Sequence, residues 1–108
     1  MNDICSVYAV FGSAEEAERI SRAMVERRLA ACANILGPCR SIYRWDGAVT
    51  EDEEVSAIFK TTQRQAKALI GAITEMHSYD VPAIVQWPID ATLQDYARWV
   101  QDETDDGS

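Results

Sequence analysis

A two-residue Asp46-Gly47 step lies near the middle of the chain, between two long runs of strand-forming residues. Both positions of a tight hairpin turn need positive φ, which Asp tolerates and Gly adopts freely, so this step joins two neighbouring antiparallel strands. The incoming strand covers residues 30–45, interrupted at Gly37-Pro38, and the return strand covers 48–61, acidic in its first half and apolar in its second. On either side of the hairpin the period changes from two to 3.6. Residues 12–29 read as a helix with Ala17, Ile20 and Met24 as its buried stripe. Ser13 and Glu16 read as its capping box, each side chain satisfying a free backbone N–H. Residues 62–77 read as a second helix, with Ala66, Leu69, Ile70, Ile73 and His77 on one face. "ICSVYAVF" at 4–11 and "AIVQWPI" at 83–89 are strands. Residues 92–104 form a short last helix with Leu93, Tyr96, Ala97 and Val100 as its stripe.

The order is therefore β-α-β-β-α-β plus a helix, an α+β ferredoxin-like sandwich with an antiparallel sheet. Right-handed crossovers place both long helices on one sheet face. The first and third strands become central and the second and fourth become edges. Pro38 and Pro88 agree, since each falls in an edge strand, where a missing N–H is tolerated. The other sheet face is unusual. Ile4, Tyr8 and Val10 alternate with Cys5, Val7, Ala9 and Phe11, so strand one is apolar on both sides. An open antiparallel sheet with helices on one side normally turns a polar second face to water. This one needs a cover, from self-association or from the last helix folding back.

The chain has 108 residues, which suits a single domain, expected over 1–102 with an acidic tail at 103–108. A net charge of -8 excludes nucleic acid and anionic membranes as partners, since both demand basic patches. No apolar run approaches the length of a membrane helix. The N-terminus lacks the basic stretch of a signal peptide, so the expected location is the cytoplasm. Cys5, Cys32 and Cys39 are odd in number and stand at no metal-like spacing, and they read as buried free thiols.

Two places carry chemistry-bearing residues. "HSYDVPAIV" holds the chain's one histidine, His77, with Asp80 three residues on and then Pro82. It reads as a metal site, as a catalytic His–Asp pair, or as the stop of the second helix, because the residue before a proline avoids the α region. The catalytic reading lacks a nucleophile setting. The second place is Lys60, at the end of an apolar central strand. Lysine is seldom buried without a partner charge, which Glu54 or Asp80 would supply unless the amine snorkels to water. Tyr43 and Arg44 stand beside Trp45 on the hairpin. The run from Glu51 to Glu54 reads as a solvated strand end or a weak site for a hard cation.

"RLAACANI", "SIYRWDG" followed by "EDEEV", "IFKT", "HSYDVPAIV" and "YARWV" occur in an order and at gaps that resemble the CutA divalent-ion tolerance family. The resemblance runs from strand one to about Val100. It implies a ferredoxin-like subunit in a tight homotrimer, sheets facing inward and long hairpin strands reaching to a neighbour, which would supply the missing cover. It implies a role in tolerance of divalent cations, copper above all, with no established catalytic reaction and no required cofactor. In copper-binding relatives the suggested ligands are a cysteine near the end of strand one and histidine before a "PY"-type turn. Here those places read Phe11, Met76, His77 and Ser78, so His77 is the one match and the candidate ligand for Cu(II) or another divalent metal. The resemblance also marks Cys32, Trp45 and Tyr79 as neighbours of an inter-subunit cleft with Glu54, Lys60 and Asp80. An alternative is a trimeric signalling protein with a small-molecule ligand between subunits, on the same plan as the nitrogen-regulatory proteins. A trimer serving only as a scaffold is a third.

Overall fold

The computed structural model describes residues 3–104. Its elements are β1 (Ile4–Phe11), α1 (Ala14–Glu26), β2 (Cys32–Trp45), β3 (Ala48–Thr62), α2 (Gln63–Met76), β4 (Ile84–Pro88) and α3 (Gln94–Glu103). They form the expected βαββαβ plan with a C-terminal helix. The sheet is antiparallel throughout, in the order β2-β3-β1-β4, so β1 and β3 are central. Asp46 and Gly47 both take positive φ, 50° and 80°, as a two-residue hairpin turn requires.

One face of the sheet packs on α1 and α2. Val7, Ala9 and Phe11 of β1 meet Val55, Ala57 and Phe59 of β3, with Ala17, Ile20 and Met24 from α1 and Leu69 and Ile73 from α2 above them. Phe11, Phe59, Ile20, Leu69 and Ile73 are fully buried. Each contributes about 1.5–3 kcal/mol of transfer free energy. The helix starts hold by side-chain caps, Ser13 accepting from the Glu16 N–H and Thr62 from the Gln65 N–H. The expected capping box is shifted by one residue. Glu16 does not return to Ser13; its carboxylate accepts the N–H of Gly12.

The second face is only partly covered. α3 lies over one end of it, where Ile4, Ala31, Ala97 and Val100 pack together. Beyond α3, Tyr8 and Ile58 are half-buried, while Val85 and Trp87 are exposed. Leu93 departs from the expected stripe. It is the N-cap residue of α3, and its side chain points to solvent, 76% exposed. α3 reaches the exposed Glu103, and Thr104 behind it is buried, so of the expected tail Glu103 is helical and Thr104 packed; residues 105–108 lie outside the described residues.

β2 and β3 outrun the rest of the sheet. β1 pairs with β3 only as far as Val55. The stretch from Cys39 to Trp45 pairs with Glu54 to Ala48 as a two-stranded ribbon. A bulge between Ile35 and Gly37 leaves Leu36 without a partner in the ladder, and Gly37 absorbs the kink with φ 86°. Ile42, Trp45 and Val49 on the ribbon are all more than 60% exposed.

Candidate functional site

α2 ends at Met76, and His77 is its C-cap with ψ 142°. That turn out of the helix folds the imidazole back under the end of β1. Its side chain is fully buried and stacks on Phe11, ring centroids 5.1 Å apart and planes 15° apart. Nε2 lies 2.7 Å from the carbonyl oxygen of Val10, and Nδ1 lies 3.0 Å from the backbone nitrogen of Tyr79. A carbonyl only accepts and an N–H only donates, so Nε2 carries the proton and Nδ1 accepts. The ring is a neutral pin joining β1 to the chain after α2.

Glu16 completes the pin. It is buried, and its carboxylate receives the Ser78 N–H at 2.7 Å, the Ser78 hydroxyl at 3.0 Å and the Gly12 N–H at 3.3 Å. Burial pushes its pKa up, but these hydrogen bonds, with His77 nearby, outweigh burial and hold it below the usual carboxylate value. The acid nearest the imidazole is thus Glu16, at 3.9 Å from Nδ1, and not Asp80. Asp80 is exposed and makes no hydrogen bond or ion pair among the described residues. Tyr79 crosses over Gly12 and donates its hydroxyl to Glu54 at 2.8 Å. A Cβ on residue 12 would stand 3.0 Å from that hydroxyl, which explains the glycine there. Burial, then the hydrogen bond to Glu54, pushes the Tyr79 phenol up to about 12.

A divalent cation needs a free lone pair on an imidazole, thiolate or carboxylate. His77 offers none in this packing, since one nitrogen is protonated toward Val10 and the other is taken by the Tyr79 N–H. Among the described residues no three His, Cys, Asp or Glu side chains converge to hold a metal. The described residues of one chain therefore do not fit a copper centre at His77.

The cleft residues fall in three places. Glu54 and Tyr79 meet at the far end of β1. Trp45 is at the hairpin tip, 68% exposed. Cys32 and Lys60 are direct partners across β2 and β3 at the opposite end of the sheet. Glu54 stands six positions back along β3 from Lys60, about 20 Å, so the expected Lys60–Glu54 ion pair cannot form within one chain. Nor does Asp80 approach. Lys60 is half-buried, and its ammonium donates to the Asn34 side-chain oxygen at 3.4 Å. Cys32 and Cys39 are partly exposed, and only Cys5 is the fully buried thiol expected. Within the acidic run, Glu51 faces Arg40 at 3.7 Å and Asp52 accepts from the Tyr43 hydroxyl, so those charges are engaged at the surface.

Glu16, Ser78, Asn34 and Tyr96 were not legible as site residues. Glu16 looked like a cap and Tyr96 like part of a helical stripe; the latter turns its hydroxyl to Cys32 Sγ at 3.5 Å. Burial first, and then that contact, pushes the Tyr96 phenol up to about 12.

The family model for the CutA1 divalent ion tolerance protein matches residues 5–103. The chain is 42% identical over 98 residues to the divalent-cation tolerance protein CutA of Pyrococcus horikoshii, covering 91% of this chain and 95% of that one. The solved structure of the divalent cation tolerance protein of Thermus thermophilus superposes with a TM-score of 0.91 at 39% identity, over 94% of this chain and 99% of that one. The structure of the periplasmic divalent cation tolerance protein CutA of Archaeoglobus fulgidus gives 0.92 at 32% identity, over 94% and 99%. With the fold, the hairpin and the His77–Tyr79 turn in place over this whole span, the chain belongs to the CutA1 divalent ion tolerance family.

Proposed function

We propose that this chain forms a homotrimer that serves divalent-cation tolerance in the cytoplasm by binding divalent metal, copper(II) foremost, without catalysis. The match over residues 5–103 to proteins named for divalent-cation tolerance carries the reading. The trimer is supported by the second sheet face, which α3 covers at one end only, and by a ribbon whose apolar residues have no cover within the subunit. Free Cys5, Cys32 and Cys39 fit a reducing compartment, although one relative is titled periplasmic. His77 acts as a structural pin, and metal binding rests on groups that come together between subunits.

The test is a copper(II) titration of the reduced protein by calorimetry, beside His77→Ala, with mass from light scattering. Three chains per particle and copper uptake that survives the substitution are expected. A monomeric mass at micromolar concentration overturns the assembly, and absent uptake overturns the metal role.

A second reading, a trimer that binds a small molecule, is favoured by Lys60, a half-buried cation that faces no carboxylate among the described residues. A thermal-shift screen separates the two: stabilisation by small organic ligands and not by metal favours the second.

A further inference from the structure

α3 has two working flanks. On one, Tyr96 turns toward Cys32 and stacks on Trp99. On the other, Gln94, Ala97, Arg98 and Gln101 recur at helical spacing, and the loop that follows β4 brings Asp90 and Thr92 up beside them. Between loop and helix lies a cavity of about 390 Å3, within the range of small-molecule sites, about 300–1,000 Å3. No strand residue lines it, so it stands clear of the second sheet face. Its floor is Ala97, buried with Ile4, Ala31 and Val100, and Ile89 of the loop packs on the same cluster. The walls are polar and unspent. Asp90, the Thr92 hydroxyl and the Gln94 and Gln101 amides make no hydrogen bond or ion pair among the described residues. Arg98 Nη1 lies 3.7 Å from Asp95 Oδ1 with both side chains mostly exposed, a contact that contributes little. Most of its five donors therefore remain for a ligand.

We propose that this cavity binds a small zwitterion, an α-amino acid with a polar side chain. The lining holds one carboxylate, Asp90, and one guanidinium, Arg98, so it complements a molecule that carries one charge of each sign. Arg98 takes the ligand's carboxylate through its planar fork of donors, and Asp90 takes its ammonium. Thr92, Gln94 and Gln101 receive the polar side chain, since an amide both donates and accepts. Other ligand classes meet an obstacle. A phosphate or dicarboxylate faces Asp90, with Asp95 beside Arg98. A divalent cation faces Arg98 and finds a single lining carboxylate. An apolar ligand finds little beyond alanine methyls. A zwitterion has no net charge, so the chain's charge of -8 does not repel it. The site uses neither a metal nor Lys60, and it stands or falls apart from both functional readings.

The experiment titrates the full-length reduced protein with L-glutamine by calorimetry. Two derivatives run beside it: N-acetyl-L-glutamine, which lacks the ammonium, and L-glutaminamide, which lacks the carboxylate. Asp90→Asn and Arg98→Gln are carried in parallel, with circular dichroism and particle mass checked for each. Saturable glutamine binding is expected in the parent, about tenfold or more weaker for each derivative. Asp90→Asn should weaken glutamine and leave N-acetylglutamine at its parent level, because that ligand has no ammonium to lose. Arg98→Gln should weaken glutamine and leave glutaminamide at its parent level. No glutamine binding, equal binding of the acid and its derivatives, or parent-like glutamine binding by either variant overturns the site. A changed particle mass in either variant also overturns it, because the cavity is then a contact between copies of the chain.

Discussion

The two ends of the β2–β3 hairpin differ in how far the chain by itself satisfies them. Where β3 lies against β1, the helices and the His77 turn satisfy the end of the sheet from within. Val10, Tyr79, Gly12, Ser78 and Glu54 each find a partner in His77, Glu16 or Tyr79. Along the ribbon, by contrast, Ile42, Trp45 and Val49 stand in solvent. Ile42 and Val49 share one face of the ribbon and Trp45 lies on the other, and exposed apolar groups on a long ribbon are a common mark of an interaction surface. The first region should therefore govern the stability of the subunit, and the second its company.

The strongest way to break this contrast is His77→Ala. It leaves the Val10 carbonyl and the Tyr79 N–H without partners and opens a cavity beside Phe11. A loss of about 2–4 kcal/mol is expected in guanidinium denaturation, with copper uptake unchanged. Next is Glu16→Gln, which exchanges a charged acceptor of three hydrogen bonds for a weaker one, at about 1–3 kcal/mol. Glu16 also sharpens the comparison through pH. Its folded pKa lies below its unfolded value, so its contribution is present above the ordinary carboxylate range and is lost as pH falls through the folded pKa. Denaturation followed below about pH 4.5 should show a flatter acid limb in Glu16→Gln than in the parent.

Tyr79→Phe should cost about 1 kcal/mol at neutral pH. The Tyr79 phenol is raised, so its stabilisation is complete below about pH 10 and is lost as pH rises toward about 12. The variant should flatten that alkaline limb only in part, because Tyr96 is raised to a similar value at the opposite end of the sheet. The smallest effect on subunit stability, within about 0.5 kcal/mol, belongs to Trp45→Ser combined with Val49→Ser on the ribbon. Their readout is mass by light scattering, which should fall if the ribbon joins subunits. An unchanged mass would assign assembly to the second sheet face alone.

Elements announced by period or by turn chemistry were readable from the chain. The Asp46-Gly47 hairpin, both long helices and the edge positions of Pro38 and Pro88 all stand where local rules put them. The site was less readable because its contacts bridge distant segments. Glu16 and Ser78 are separated by 62 positions, and no local pattern ties a helix cap to a helix stop. His77 drew attention as a lone imidazole, yet its role depends on a carbonyl 67 positions away. Lys60 stands at the end of an apolar strand as expected, but pairing it with Glu54 assumes a closeness in space that the length of β3 forbids. Leu93 fitted a helical stripe by spacing alone, and the helix begins one residue after it.

The bulge at Leu36 acts as a phase shifter. Before it, the even-numbered residues Cys32 and Asn34 of β2 share a face with Lys60 and Ile58; after it, the odd-numbered Cys39 and Ser41 do so with Glu54 and Asp52. One extra residue thus decouples the alternation of the ribbon from that of the sheet. Losing Leu36 would straighten the strand and leave every downstream partner in place. Losing any single residue between Pro38 and Trp45 would instead turn part of the ribbon inside out.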